Sequence, residues 1–340
     1  MKPLAVAATL PPVLHALERA LGPGGVSALD PSVPVAVWRR ALSGPATEFL
    51  ARPGKELRTT MVDTGWLLGG GAPTAMPTRL PMVIELLHAG SLIVDDVEDG
   101  SPERRGGPAL HQLYGVPLAI NTGSWMYFWA LAELGDLGLP PTIELEAHRV
   151  ATATLVRCHQ GQALDLAIKI ADVDVADVPA VVAATTRLKT GALCRLAAAL
   201  GAIAAAAPID RKLAIAHFGE SVGVGLQMLD DLGSLASPAR CAKGLEDVLA
   251  GRPTWPWAWL AEHRPFAWTR LAALEREVAA GTGDPRLLMA ELAAEIEAVG
   301  RRAIRATLAS ALDHLVQAVG RSPVIDVIAD ALARMEQSYG

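Results

Sequence analysis

Apolar residues recur at spacings of three and four along most of the chain, and Ala and Leu supply many of them. This spacing places apolar side chains on one face of a helix, so it predicts α-helices rather than strands. Glycine and proline cluster between these runs and mark loops at residues 22–25, 69–73, 100–108, 140–141 and 281–285. The pattern predicts an all-α bundle, one domain over residues 1–340, with about ten or more helices.

Two segments of the sequence give specific predictions of where a helix begins or ends. The segment LAAALGAIAAAA, from Leu196 to Ala207, predicts a buried helix that Pro208 ends. At twelve residues it is too short to span a bilayer, which takes about 20, and no longer clean apolar run occurs. Asp284-Pro285 predicts an N-cap followed by proline at the first helical position, and a long helix after it.

Composition narrows the classes of function. The chain is 51% hydrophobic with a net charge of -6, which argues against non-specific nucleic-acid binding. Cys158, Cys194 and Cys241 are far apart and form no C-x-x-C pair, so they suggest no disulfide framework. A reducing, cytoplasmic setting is the expectation.

The first chemical signal is LLHAGSLIVDDVED, residues 86–99. Helical spacing puts His88, Ser91 and Asp95 on one face, with Asp99 one turn further on. Two carboxylates at that spacing repel each other unless a cation lies between them, and magnesium prefers carboxylate oxygens with water and phosphate. A solvated acidic helix end is the alternative, but the apolar run before the acids favours the mouth of a cavity.

A second acidic pair follows an apolar helical run in VGVGLQMLDDLGSL, where Gln227 lies one turn before Asp230 and Asp231. Two such helix ends facing each other would form a cage for several divalent ions, and diphosphate is the natural ligand of such a cage. Arg104 and Arg105 add guanidinium groups whose geometry suits phosphate oxygens.

These motifs together resemble the trans-isoprenyl diphosphate synthases over about residues 53–256. The elements that carry the resemblance occur in the family's order: RPGKELR, LLHAGSLIVDDVEDGSPERRGGPALH, HQGQALDL, LKTGALC, LQMLDDLGS and KGLEDVLAGRPTWP. The similarity is greatest to geranylgeranyl diphosphate synthases of the animal and fungal type. It implies the helical fold of class I terpenoid synthases around a deep central cavity. It also implies a homodimer that joins isopentenyl diphosphate to dimethylallyl, geranyl or farnesyl diphosphate.

The resemblance implies a role for each motif residue. About three magnesium ions, replaceable by manganese, would be held by aspartates: Asp95, Asp99 and Asp230, with Asp96 and Asp231 in support. Isopentenyl diphosphate would be bound by Gly54, Lys55, Arg58, His88 and Arg105. The allylic diphosphate would be bound by Arg104, Lys189 and Lys243. The groups near the developing carbocation would be Lys189, Thr190 and Gln227. Ser234 stands where many relatives carry a third aspartate.

The length of the product depends, in this family, on what blocks the floor of the cavity below the first acidic motif. Gly90 and Ser91 are small and would not stop the product at fifteen carbons. Tyr127, Phe128 and His159 match floor positions of the animal and fungal type, although plain core packing is the alternative for them. The expected product is geranylgeranyl diphosphate, with twenty carbons.

Two other functions stay open on the sequence. One is a class I terpene cyclase or a branching prenyltransferase on the same fold, and the other is a non-catalytic partner subunit of another prenyl synthase. A cyclase needs no isopentenyl diphosphate site, yet the residues for one are present. A non-catalytic subunit could dispense with its aspartates, and this chain retains them. Both observations favour chain elongation.

Overall fold

The computed structural model describes residues 12–54, 57–236 and 241–338. These residues form sixteen α-helices. The helices are α1 Pro12–Leu21, α2 Val35–Trp38, α3 Gly44–Leu50, α4 Leu57–Leu68, α5 Leu80–Glu98, α6 Leu110–Tyr114, α7 Val116–Gly135, α8 Pro141–Ala167, α9 Val178–Thr186, α10 Ala192–Ala204, α11 Ile209–Ala236, α12 Cys241–Leu249, α13 Trp255–His263, α14 Pro265–Ala279, α15 Pro285–Val319 and α16 Pro323–Ser338.

The prediction of an all-α fold is confirmed. Within the described ranges the only strands are β1 (Glu103–Arg104) and β2 (Gly107–Pro108), which pair antiparallel. Two short segments, Arg39–Ser43 and Arg187–Gly191, are wound as π-helix, and Ile170–Asp172 forms a 3₁₀ turn. None of the helices in the described part of the chain is both long and apolar enough to cross a membrane.

Where the sequence predicts one domain, contacts group the helices into two compact units. Unit 1 comprises the described residues up to Thr60 together with Met76–His148. Unit 2 comprises Met61–Ala75 and the described residues from Arg149 onward.

Unit 1 is organised by the close crossing of α5 and α7. A Cβ added to Gly90 would lie 2.6 Å from the carbonyl oxygen of Gly123, so the two backbones approach too closely for a side chain there. Arg79, just before α5, donates to Glu133 (2.7 Å) and to Asp136 (2.8 Å) near the end of α7. The crossing and these ion pairs fix the helix that carries the first acidic motif.

Unit 2 is built on α11, which packs against α10 and α15. The run predicted as a buried helix forms α10, and nearly all of its side chains are buried. The predicted start of the long helix is also confirmed, because the Asp284 side chain accepts a hydrogen bond from the Arg286 N–H (2.9 Å) and Pro285 begins α15. Such caps satisfy amide groups that a helix start leaves without a partner.

Candidate active site

The first acidic motif ends α5, as its helical spacing predicts. Ile93, two residues before Asp95, is fully buried, and the helix continues until the Asp99 N–H bonds to the Asp95 carbonyl oxygen (2.8 Å). Asp95 and Asp99 lie one turn apart and both are half-buried, with the Asp95 side chain 24% exposed. Their carboxylates therefore share one face and remain accessible.

Asp96, between them in sequence, is directed inward instead. It is fully buried, and its Oδ1 accepts from Arg104 Nε at 2.6 Å and lies 2.5 Å from Arg104 Nη2. Burial raises the pKa of Asp96, and the Arg104 guanidinium opposes that rise. Its other oxygen has no hydrogen-bond partner among the described residues. Asp96 therefore anchors Arg104, and the supporting metal role that the sequence resemblance implies for Asp96 stays a prediction.

Arg104 and Arg105 lie on a tight hairpin, residues 103–108, called here the arginine hairpin. Arg105 (φ 51°) and Gly106 (φ 76°) both have positive φ, the geometry of a two-residue turn that fits strand twist. Arg105 donates to Glu85 (3.1 Å), and its guanidinium lies 5.2 Å from the Phe49 ring centroid. The two arginines therefore have different partners in the protein, and their roles toward two different diphosphates stay predictions.

Arg58 and His88 form a second cationic element in unit 1. Arg58 Nη1 lies 3.0 Å from His88 Nε2. Burial, together with Arg58, Arg105 and Arg104 nearby, lowers the pKa of His88 well below its usual value, so the imidazole is neutral and Nε2 accepts from Arg58. A Cβ added to Gly54 would lie 3.1 Å from Arg105 Cζ, which places this residue against the same group. Lys55, the remaining predicted member, lies outside the described residues.

The buried neutral His88 predicts a specific loss of stability in acid. The unfolded imidazole takes a proton near pH 6.5, whereas the folded one resists it, so stability falls as the pH drops below 6.5. The largest loss of unfolding free energy that one such group can cause is about 1.4 kcal/mol per pH unit. We expect His88→Gln to lose less stability than the wild type between pH 7 and pH 5, measured by urea unfolding. Parallel losses in both proteins would show that His88 is not the titrating group.

In unit 2, a series of linked hydrogen bonds begins at the Thr190 side chain. The Thr190 hydroxyl donates to Gln227 Oε1 (2.8 Å), and Gln227 Nε2 donates to Asp231 Oδ1 (2.7 Å). Asp231 Oδ2 accepts from the Trp255 backbone N–H (3.0 Å), so both carboxylate oxygens have protein donors. Thr190 and Gln227 are therefore brought together, as predicted, and their orientation is fixed from behind by Asp231.

Asp231 is held by protein groups, and the supporting metal role that the resemblance implies for it stays a prediction. Its side chain is buried, which raises its pKa to about 7, and its oxygens are directed at Gln227 and Trp255. Ser234 is also buried and donates its hydroxyl to the Asp231 carbonyl oxygen (2.8 Å). Asp230, one residue earlier, is half-buried and remains the candidate ligand on α11.

Lys189 lies in the π-helical segment Arg187–Gly191, and such segments are frequent at functional sites. Its Nζ lies 2.6 Å from Asp165 Oδ2 on α8. The exposed Lys243 on α12 is one of the charges that lower the pKa of buried Asp247, whereas burial is the larger effect and raises it. Asp165 and Asp247 have no role in the sequence predictions. The sequence signal for them is that each is an acid inside a motif of the family resemblance, HQGQALDL or KGLEDVLAGRPTWP.

The predicted chain-length residues do not form one group. Tyr127 lies beside Gly90, since a Cβ added to Gly90 would be 3.3 Å from Tyr127 Cε1. Phe128 is 70% exposed, because adjacent helix positions are directed about 100° apart, and its expected place in the floor beside Tyr127 stays a prediction. His159 is exposed on the unit 2 part of α8, and Ser91 donates its hydroxyl to the His88 carbonyl oxygen (2.8 Å).

The donor set suits a hard cation that also binds phosphate. Asp95 and Asp99 offer only oxygen atoms on one accessible face, and Asp96 has a buried oxygen without a donor in the described ranges. No group of three or more His, Cys, Asp and Glu among the described residues is arranged to hold a metal ion by itself. Magnesium is commonly held by one or two carboxylates plus substrate phosphates rather than by an all-protein cage, so the residues fit it.

Solved structures of known proteins share this fold. Geranylgeranyl pyrophosphate synthase from Corynebacterium glutamicum superposes with a TM-score of 0.78 at 21% identity, covering 96% of this chain and 98% of that one. Heptaprenyl diphosphate synthase from Staphylococcus aureus gives a TM-score of 0.74 at 19% identity, covering 96% of each chain. The class that the fold defines is therefore the all-α isoprenyl diphosphate synthase fold.

Sequence comparison shows the family. The model of the polyprenyl synthetase family matches residues 39–274, and the chain belongs to that family. Similar proteins include geranylgeranyl pyrophosphate synthase 2 of Zymoseptoria tritici, 31% identical over 65% of each chain. The geranylgeranyl pyrophosphate synthase of Hypoxylon pulicicidum is 36% identical over 63% of this chain and 53% of its own. The chain thus spans between about half and two thirds of the length of these curated relatives.

Proposed function

We propose that this protein condenses isopentenyl diphosphate with an allylic diphosphate to make a linear trans-prenyl diphosphate, geranylgeranyl diphosphate. The observation that carries the proposal is that the two adjacent arginines of unit 1 are held by different groups. Arg104 is paired with Asp95 and Asp96 of α5, whereas Arg105 is paired with Glu85 and lies against Phe49 and Gly54. A condensation of two diphosphates needs two separate groups of cationic side chains, one to bind each substrate. The similar synthases of Zymoseptoria tritici and Hypoxylon pulicicidum make the same product by name.

The resemblance implies the proposed roles, and the contacts of the described residues support several of them. Asp95, Asp99 and Asp230 would hold about three magnesium ions, replaceable by manganese, and these supply positive charge that offsets the leaving diphosphate. Arg104 would bind the same diphosphate with a guanidinium that Asp96 already orients. Lys189 and Lys243 would add charge to it. No side chain need act as a base, because the departed diphosphate can take the proton.

The second substrate would be bound by neutral and cationic side chains. Arg58, His88 and Arg105, with Gly54 against them and Lys55 nearby in sequence, would bind isopentenyl diphosphate. Its double bond would attack the allylic carbon as the C–O bond breaks. The Thr190 hydroxyl and the Gln227 amide would face the developing carbocation with dipoles that are already oriented. Apolar side chains around them would exclude water, which would otherwise quench the cation.

The experiment that tests the proposal is a product assay on the pure protein. Labelled isopentenyl diphosphate is supplied with dimethylallyl, geranyl or farnesyl diphosphate, with and without magnesium. We expect a twenty-carbon diphosphate that forms only when the metal and both substrates are present. A hydrocarbon or alcohol made without isopentenyl diphosphate would instead identify a cyclase. Turnover that requires an added synthase would identify a partner subunit.

Product length gives a matched pair of variants on α7. Tyr127 lies against Gly90 just before the first acidic motif, whereas its neighbour Phe128 is exposed. We expect Tyr127→Ala to shift the main product from twenty to twenty-five carbons, because it removes bulk where the chain would end. Phe128→Ala should leave the product at twenty. Chromatography of the dephosphorylated alcohols measures both. An unchanged product from Tyr127→Ala would remove Tyr127 from the floor.

We also propose that the protein is a homodimer in the cytoplasm. Val116, Ile120 and Phe128 recur at helical spacing along α7 and are between 43% and 70% exposed, which is a costly surface for a monomer. Light scattering should give twice the chain mass of 35.6 kDa. None of the three cysteines forms a disulfide, which supports a reducing compartment.

A further inference from the structure

Arg52, just after α3, lies against the arginine hairpin without belonging to any assigned motif role. Its side chain is only 9% exposed. Nη1 donates to the main-chain carbonyl oxygen of Arg104 (2.9 Å), 52 residues later in the chain. Nη2 donates to Glu48 on α3 (3.1 Å). A nearly buried guanidinium is thus shared between α3 and the hairpin.

The hairpin needs such an anchor. It contains only two residue pairs, and a two-stranded hairpin is marginal without further packing. Its turn also places Arg105 at a φ of 51°, a conformation that costs free energy for a residue with a Cβ. A strained turn on two short strands keeps its geometry only when its surroundings hold it.

The segment around Arg52 contacts both strands and the turn. A Cβ added to Gly107 would lie 3.2 Å from Arg52 Cζ, so the guanidinium packs directly against β2. Phe49 and Gly54, on either side of Arg52 in sequence, lie against the guanidinium of Arg105. One short segment therefore holds the backbone of Arg104 and the side chain of Arg105 together.

We propose that Arg52 is a positioning residue that sets the orientation of Arg104 and Arg105 toward their two diphosphates. The inference rests on the proposed function in taking those arginines as the diphosphate ligands. Arg52 itself acts through the Arg104 carbonyl. Its effect should therefore appear mainly in the binding of both substrates, and less in the rate of the chemical step.

The kinetic test compares Arg52→Ala and Arg52→Lys with Arg40→Ala, a control at an exposed arginine of the same unit. Loss of one charge-assisted hydrogen bond predicts that Arg52→Ala raises KM for both substrates about tenfold, with kcat within about threefold of wild type. Arg52→Lys should give an intermediate KM, because an ammonium group cannot reproduce the two hydrogen bonds of the planar guanidinium. Millimolar methylguanidinium should lower the raised KM of Arg52→Ala and leave Arg40→Ala unchanged.

A second measurement does not depend on turnover. Hydrogen exchange followed by mass spectrometry should show faster exchange of the amides in residues 101–110 in Arg52→Ala than in wild type or Arg40→Ala. Unchanged exchange there, or unchanged KM values in a folded Arg52→Ala, overturns the proposal. If the wild-type protein had no condensation activity, the proposed function would be wrong. Hydrogen exchange in the arginine hairpin would then test the role of Arg52 by itself.

Discussion

Asp95→Asn is expected to lower the condensation rate by about a thousandfold or more while the protein stays folded. The amide keeps the size of the side chain but removes the negative charge that a hard cation needs. Asp95 lies on the accessible face of α5 with Arg104 3.6 Å away, so the loss falls where the leaving diphosphate would be neutralised. A catalytic metal site contributes several kcal/mol to the transition state, and each 1.4 kcal/mol is about tenfold in rate.

Glu98→Gln is the matched control for this change. Glu98 is an exposed acid on the same helix end, three residues from Asp95. The two variants are compared by kcat with isopentenyl and farnesyl diphosphates at saturating magnesium, after circular dichroism has shown equal helix content. Glu98→Gln should keep most of the activity. If Asp95→Asn retained more than a tenth of the wild-type rate, the assignment of α5 as the metal-binding helix would be wrong.

The second large effect concerns stability. Arg104→Ala should destabilise the protein by about 3–5 kcal/mol, because it leaves the fully buried Asp96 carboxylate without its ion-pair partner. Asp96 would then take up a proton more readily, so its pKa would rise further. A raised pKa makes folding less favourable as the pH increases, so the loss should be greater at pH 7 than at pH 5.

The double variant Asp96→Ala/Arg104→Ala isolates this cause. Removing both partners abolishes the unpaired charge, so the double variant should regain much of the stability that Arg104→Ala loses. Urea unfolding at both pH values measures the four members of the cycle. Equal instability of the single and double variants would show that Asp96 and Arg104 are not energetically coupled.

The sequence could predict those site residues whose chemistry follows from spacing on one helix. Asp95 and Asp99 lie on one face because they are four residues apart. The sequence could not predict the partners of Arg58 and Arg104, because His88 and Asp96 contact these arginines only in the folded protein. Asp231 shows the limit most clearly. In sequence it is equivalent to Asp230, yet its side chain is buried against Trp255 on another helix.

Adjacent residues on a helix are directed differently, and the sequence does not show which of them faces the interior. Tyr127 and Phe128 are neighbours in sequence, but only Tyr127 contacts Gly90, and Phe128 is exposed. Arg52 and Glu85 have no role in the sequence predictions, because each contacts an arginine of the hairpin that is distant in sequence. Asp165 and Asp247 lie inside family motifs, but the cation that each contacts lies outside its own helix.

The amino-acid sequence by itself determined the helical class, the start of α15, the buried α10 and the family, because these depend on local periodicity, capping and motif order. Only the tertiary structure decided which carboxylates are accessible and which are used to hold a neighbouring group. It also decided that Arg52 supports the arginine hairpin. The physical reason is that burial and hydrogen-bond partners are set by elements distant in sequence, and they determine the charge state and orientation of each side chain.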